Sequence, residues 1–374
     1  LTDLDRSTHV VQRERTQTFD SIQVMRGIAA LMVVGDHVSQ FWGRATGQRE
    51  IMWRNGAAGV DIFFVISGIV MVLSTHGRPM GLAAAGKFLE RRGLRLLPMY
   101  WLVTALFTME YVLIRYYPVI MTHGEDYPHL TGKFLLTSIF LLPFNNAGYY
   151  LPVVGVGWTL RFECFFYLAF AASLAFRVKP QYFLSITLLP LAILLQIFKG
   201  QHHVNDPPML LLEFLMGVWM ALVVVRTRWQ LPRGVLIGVA VVSFSLLLIP
   251  WPGSGSRYFT WGIPAFVLLG SLMLLDRNGS VRWPRFLLLL GDASYSLYLI
   301  HIFVFCIVTR LLEAAGIVGP EHTGAGVEAL MVALCTVSAV AAGIFVYKTV
   351  ELPLNDALRR RFLRGAVLQV KSAG

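Results

Sequence analysis

The chain has 374 residues, of which 56% are hydrophobic and only 14% charged. An ordinary soluble domain carries about 25% charged residues, so this composition excludes a water-soluble globular protein. The net charge of +11 would suit nucleic acid or an anionic lipid surface, but the Lys and Arg excess on the cytoplasmic side of membrane proteins accounts for it without nucleic acid.

Apolar runs of about 20 residues recur along the chain, the length at which a helix crosses a bilayer. Residues 1–20 read as a polar N-terminal tail. No short apolar stretch with a small-residue cleavage site precedes the first span, so no cleavable signal peptide is expected. Spans are predicted near 21–42, 57–76, 96–115, 156–176, 181–198, 209–225, 234–250, 258–275, 287–313 and 326–347. The stretch "KFLLTSIFLLPF" at 133–144 is too short for a span and reads as an interfacial or re-entrant helix. The expected fold is an all-α bundle of about ten spans over 21–350, closed by a basic tail at 351–374. Cys164, Cys306 and Cys335 fall inside spans, with neither metal-ligand spacing nor a disulfide framework, so no metal is expected.

Charge sets the orientation. With ten spans and a cytoplasmic N-terminus, the inward segments carry 22 of the 32 Lys and Arg and the outward segments 7. Counting 133–144 as an eleventh span would reverse every later loop and put the basic ones outside, so both termini are expected in the cytoplasm.

Span 1 is unusual because it holds Arg26, Asp36 and His37. Ionisable groups inside a span are costly and by default mark a functional site facing the protein interior. Eleven residues make about three helical turns, which puts Arg26 and His37 on nearly one face, roughly 16 Å apart along the axis. Asp36 points about 100° away from its neighbour and is a poorer partner for His37. In "LERRGLRLLPMYW", Arg92 and Arg95 share a face at the cytoplasmic mouth of span 3. They either anchor the helix to the inner surface or converge with Arg26 on one anion, for which the guanidinium fork suits phosphate. Glu163, in "GWTLRFECFFY", is expected near the depth of His37. The two form either a base with its orienting partner or, through Arg161, a structural ion pair. His301, in "GDASYSLYLIH", is either a core histidine or a site residue. Gly56, Gly59 and Gly68, in "NGAAGVDIFFVISGIVM", read as close-packing positions, and Asp61 as a cap or site residue.

Taken together these pieces resemble the bacterial acyltransferase-3 family of integral membrane acyltransferases. The matching parts are the Arg26–His37 pair, "GVDIFFVISGIVM", "RRGLRLLPMYW", "GWTLRFECFFY", "SYSLYLIH" and "ELP", which run from about 20 to 353. The opening "MRGIAALMVV" is most similar to the branch that decorates exopolysaccharides. Thr159 replaces the Ser of the commoner Trp-Ser-Leu form and keeps a hydroxyl. The resemblance implies O-acyl transfer, usually acetyl, from acetyl-CoA to a sugar hydroxyl of an exopolysaccharide repeat or glycolipid at the bacterial inner membrane. It makes His37 the essential histidine, with Arg26 its partner in the motif, and Arg92 and Arg95 the functionally important arginine pair. The reading of the residues themselves adds Glu163 as a catalytic candidate, Arg26, Arg92 and Arg95 as donor-binding candidates, and Trp158, Tyr167, Asp61 and His301 as substrate-binding candidates.

Two readings compete with this one. One is a transporter or flippase, which ten spans with buried charges also fit, although no internal repeat is visible. The other keeps the chemistry but acylates a small glycoside on the cytoplasmic side.

Overall fold

The computed structural model describes residues 19–47, 53–116, 130–142, 151–199, 208–227, 230–249, 257–279 and 281–371. In chain order the helices are α1 (Asp20–Thr46), α2 (Ala58–Thr75), α3 (Leu82–Tyr116), α4 (Gly132–Ile139), α5 (Trp158–Ala175), α6 (Pro180–Lys199), α7 (Leu210–Arg226), α8 (Arg233–Leu248), α9 (Ile263–Arg277), α10 (Arg285–Asp292), α11 (Ser294–Ala314), α12 (Ala325–Val346) and α13 (Leu352–Lys371). No strand occurs among the described residues. The fold is the expected all-α bundle.

Among the described residues, six helical stretches are long and apolar enough to cross a membrane: Arg54–Thr75, Leu82–Leu113, Pro180–Ile197, Tyr258–Arg277, Ser294–Ala314 and Ala325–Arg361. The other four predicted spans are also helical. α1 and α5 carry the ionisable residues of the site, and α7 and α8 have only 17 and 16 residues. Ile186 and Ile197 of α6, Val241 and Val242 of α8, and Val337 and Phe345 of α12 are exposed. Large outward apolar surfaces of this kind mark a membrane-facing protein.

Several boundaries differ from the sequence reading, and α3 begins at Leu82 rather than near 96. The predicted span 287–313 is broken at Ala293 into α10 and α11. At this break Gly291 lies directly on the backbone of Gln23 in α1, an approach any Cβ would obstruct, and the Gln23 amide donates to Asp292 at 2.5 Å. Glu351, read as the start of the tail, is buried and accepts from the Ser296 hydroxyl of α11 at 2.5 Å. The described part of the 133–144 stretch falls largely in the eight-residue α4, which Thr131 caps by accepting from the Phe134 amide at 3.1 Å. Tyr100 and Trp101 of α3 donate to its last carbonyls, those of Ser138 and Ile139, at 2.8 and 3.0 Å.

α1 lies at the centre of the site and is held at its N-terminus and at its middle. The Ser21 amide at its N-terminus donates to the Asp276 carboxylate at 2.7 Å, so α9 supplies an acceptor for an otherwise orphaned donor. Gly56 and Gly59 lie against the Met32 and Ala29 carbonyls of α1. α2 in turn meets α7 where Gly68 and Gly217 face each other's backbones. These small residues let helices approach to backbone contact, which drives association where lipid removes the usual hydrophobic force.

Candidate active site

The geometry starts from the two histidines. His37, in α1, and His301, in α11, have ring centroids 5.0 Å apart, and His301 Nε2 is 3.2 Å from His37 Nδ1. His301 Nδ1 is 3.1 Å from the Leu297 carbonyl, and His37 Nδ1 is 2.9 Å from the Val33 carbonyl. A carbonyl only accepts, so in the neutral pair each Nδ1 carries its proton. His301 Nε2 is then bare and accepts from His37 Nδ1–H. This arrangement leaves the lone pair on His37 Nε2, the form a base needs. His301 is fully buried, whereas His37 is half-buried on a cavity wall.

That cavity has a volume of about 690 Å³ and is lined by side chains of both charges, among them Arg44, Arg257, Glu110 and Glu313, together with Trp158 and Phe107. Trp158 stands at the start of α5, edge-on to Phe162 at 6.2 Å. A wide recess of mixed charge and aromatic surface suits a bulky hydroxylated molecule.

A second, narrower cavity of about 110 Å³ brings together Arg26, Arg92, Arg95, Glu163 and Tyr167. The sequence left open whether these arginines anchor the helix or converge, and the structure places all three around one chamber. Arg92 donates to the Ser74 hydroxyl at 2.9 Å and lies over the rings of Phe88 and Tyr167, at 5.7 and 5.8 Å. Arg26 sits in the electrostatic field of Arg95, Glu163 and Glu351. Glu163 accepts from the Tyr167 hydroxyl and, at 3.4 Å, from Ser67. Glu163 thus lies in the arginine chamber, whereas the contact made to the His37 ring from another helix is that of His301.

Asp61, at the start of α2, is fully buried under Arg257, which pairs with it through two nitrogens at 2.7 and 3.1 Å. The same guanidinium donates to the Ala57 carbonyl at 3.0 Å and lies 4.7 Å from the Trp261 ring. Glu213 of α7 is buried beside Asp61 and interacts with it. Asp36 accepts from Gln40 at 2.8 Å and turns away from His37, as the helical angle requires.

Sequence reasoning missed the partnership of His301 with His37, the hold of Thr159 and the Val156 carbonyl on the Tyr298 hydroxyl, at 2.7 and 2.9 Å, and the Asp61–Arg257–Glu213 cluster. One signal was present in "SYSLYLIH", where Tyr298 and His301 are three residues apart and so share a helix face. Nothing local links Arg257 to Asp61, 196 positions earlier.

A bundle of membrane-crossing helices that encloses a histidine pair, a wide cavity and an adjoining arginine chamber defines a multi-pass membrane protein built for group transfer. The chain belongs to the acyltransferase-3 family, whose acyltransferase-domain model matches residues 19–348, and it is an O-acyltransferase. The exopolysaccharide production protein ExoZ of Rhizobium meliloti is 32% identical over 319 residues, covering 82% of this chain and 92% of that protein. The acyltransferase MdmB of Streptomyces mycarofaciens is 27% identical over 384 residues, covering 93% and 94%. The peptidoglycan O-acetyltransferase OatA of Listeria monocytogenes is 26% identical over 335 residues, covering 78% of this chain and 50% of that protein. No solved structure matches the chain.

Proposed function

We propose that this enzyme moves an acyl group, acetyl in the first instance, from cytoplasmic acyl-CoA to a hydroxyl of a glycan or glycolipid at the outer side of the bacterial inner membrane. The observation that carries this reading is the His37–His301 pair on the wall of the 690 Å³ cavity, beside a chamber holding three arginines. CoA is a polyanion with a long flexible arm. Arg92 and Arg95 bind its phosphates from the inner side, and the arm runs past Arg26 along α1, over the roughly 16 Å that separates Arg26 from His37. The names of two relatives, one for exopolysaccharide production and one for peptidoglycan O-acetylation, support a glycan acceptor in the wide cavity.

His37 is the general base. Its Nε2 takes the proton of the acceptor hydroxyl while that oxygen attacks the thioester carbonyl carbon. The carbon–sulfur bond then breaks, and the imidazolium returns the proton to the departing thiolate. The products are an O-acyl ester and free CoA thiol. His301 acts as a positioning residue that holds the His37 Nδ1 proton and so fixes the reactive tautomer. Glu163 acts from the arginine chamber, where it partly balances the guanidinium charges.

The direct test incubates purified protein with isotopically labelled acetyl-CoA and a panel of lipid-linked glycans, followed by mass spectrometry. The expected result is one labelled O-acetyl ester on an accepted glycan, lost in His37→Gln while the protein stays folded. Substantial ester formation by well-folded His37→Gln would remove the base from this mechanism.

A further inference from the structure

Among the described residues only Val60 and Tyr298 line both cavities. They come from different helices, α2 and α11, and both are buried. Tyr298 is held in place. Its hydroxyl lies 2.7 Å from Thr159 Oγ1 and donates to the Val156 carbonyl at 2.9 Å. Its ring meets Phe63 edge-on at 5.9 Å and stands 6.1 Å from the His301 ring. The tether comes from the start of α5, where Thr159 is itself buried and lines the narrow chamber.

A tethered aromatic ring and a β-branched side chain, both shared by the two cavities, stand at the boundary between them. Neither side chain yields easily: the ring is pinned at its hydroxyl end, and valine has few accessible rotamers. An acyl group held in the 110 Å³ chamber must pass this boundary to reach His37 on the far side.

We infer that Val60 and Tyr298 set the length of acyl group that the enzyme transfers, admitting a short one and rejecting longer chains. The inference rests on the proposed placing of the donor in the arginine chamber. One extra methylene in a close-fitting apolar passage costs roughly 10- to 200-fold in specificity. Acetyl is therefore favoured over butyryl by well over ten-fold.

The test measures free thiol released from acetyl-, propionyl-, butyryl- and hexanoyl-CoA by the full-length detergent-purified protein, with water as the acceptor, and compares kcat/KM between donors within each variant. A ratio taken within one variant does not move when stability or yield falls. Wild type is expected to favour acetyl. In Val60→Ala the acetyl-to-butyryl preference falls about ten-fold or more, and in Tyr298→Ala it falls at least as far. Tyr298→Phe keeps the ring but frees its hydroxyl end, so its preference falls between those of wild type and Tyr298→Ala, which separates the ring's bulk from its hydrogen bonds. Val60→Phe closes the passage, so it binds CoA as wild type does but releases thiol from none of the donors.

Equal use of acetyl- and butyryl-CoA by wild type would overturn the inference, as would unchanged ratios in both alanine variants. Thiol release with the expected ratios upholds it. Wild type that binds no CoA and releases no thiol from any donor would instead defeat the underlying placing of the donor, and this inference with it.

Discussion

His301 Nε2 lies 3.2 Å from His37 Nδ1, and backbone carbonyls hold the outer Nδ1 proton of His301 and share that of His37. This chain of donors leaves His37 Nε2 as the unprotonated end. On the proposed mechanism His301→Phe removes the acceptor, frees the His37 ring to adopt the other tautomer, and lowers kcat by ten-fold or more, within the roughly 10²- to 10⁴-fold contribution of general-base catalysis. His301→Gln supplies an amide oxygen in place of Nε2 and recovers part of that loss. Turnover and thermal unfolding measured on the same preparations check this. Losses that track unfolding temperature in both variants would mark His301 as merely structural.

The pH profile has a definite sign. A general base works only when neutral, so turnover falls as pH drops through the titration of the histidine pair and levels off above it. An unperturbed imidazole titrates near about 6.5. The acid limb is absent from the residual activity of His37→Gln, since an amide neither gains nor loses a proton over this range. Rate against pH for both proteins decides the point, and an acid limb that survives in His37→Gln would assign it to another group.

The arginine chamber makes a prediction that separates binding from chemistry. Arg92→Ala and Arg95→Ala weaken CoA binding. A charge-assisted bond is worth about 1.5–3 kcal/mol, which gives roughly ten- to hundred-fold for each. His37→Ala leaves CoA affinity close to wild type while ending turnover. Equilibrium binding of CoA by folded variants tests this, and equal affinity in the double arginine variant would place the donor elsewhere.

Arg257 is expected to matter for stability. Its guanidinium is the cation seen against the buried Asp61–Glu213 pair, with two nitrogens on Asp61. Arg257→Met leaves two carboxyl groups without it, and removing one partner of a buried ion pair costs about 3–5 kcal/mol. Adding Glu213→Gln to Arg257→Met should restore part of that loss, because it removes one of the two carboxyl groups. Thermal unfolding in detergent reads both variants. Additive losses in the double variant would show that the two sites do not interact.

Orientation rests on the placement of basic residues. Single cysteines in 226–233 and 276–286 are expected to resist an impermeant thiol reagent applied from outside, and cysteines in 200–207 and 314–325 to react with it. The split of 22 inward to 7 outward Lys and Arg motivates this. Labelling of 276–286 from outside would defeat the ten-span arrangement.

Much of the bundle was legible in the sequence. Long apolar runs can satisfy their backbone in lipid only as helices, so helix positions follow from composition alone. The shared face of Arg92 and Arg95 was legible from helical periodicity, and the cost of burying charge said that Arg26 must face inward, but their meeting in one chamber was only one of two open readings. The close-packing role of Gly56, Gly59 and Gly68 followed from their size, and the structure places each of them against another helix's backbone.

What periodicity cannot reveal is which helix stands opposite a given face, because that depends on crossings between segments hundreds of residues apart. His37 and His301 are separated by 264 positions, and only the packing of α11 against α1 makes them a pair. Glu163 was expected beside His37 from depth alone. Depth fixes height along the membrane normal but not direction around it, and the rotation of α5 turns this carboxylate toward Tyr167 and the arginines. The break at Ala293 was marked in the sequence only by Gly291 and Asp292 inside the apolar run, and its cause was not legible there, because the close contact of Gly291 with the α1 backbone arises only once the helices are assembled. Local chemistry in the sequence determined which residues must be helical and which charges must turn inward. The tertiary structure alone decided their partners, because lateral packing is set by side-chain shape across helices rather than by the period within one.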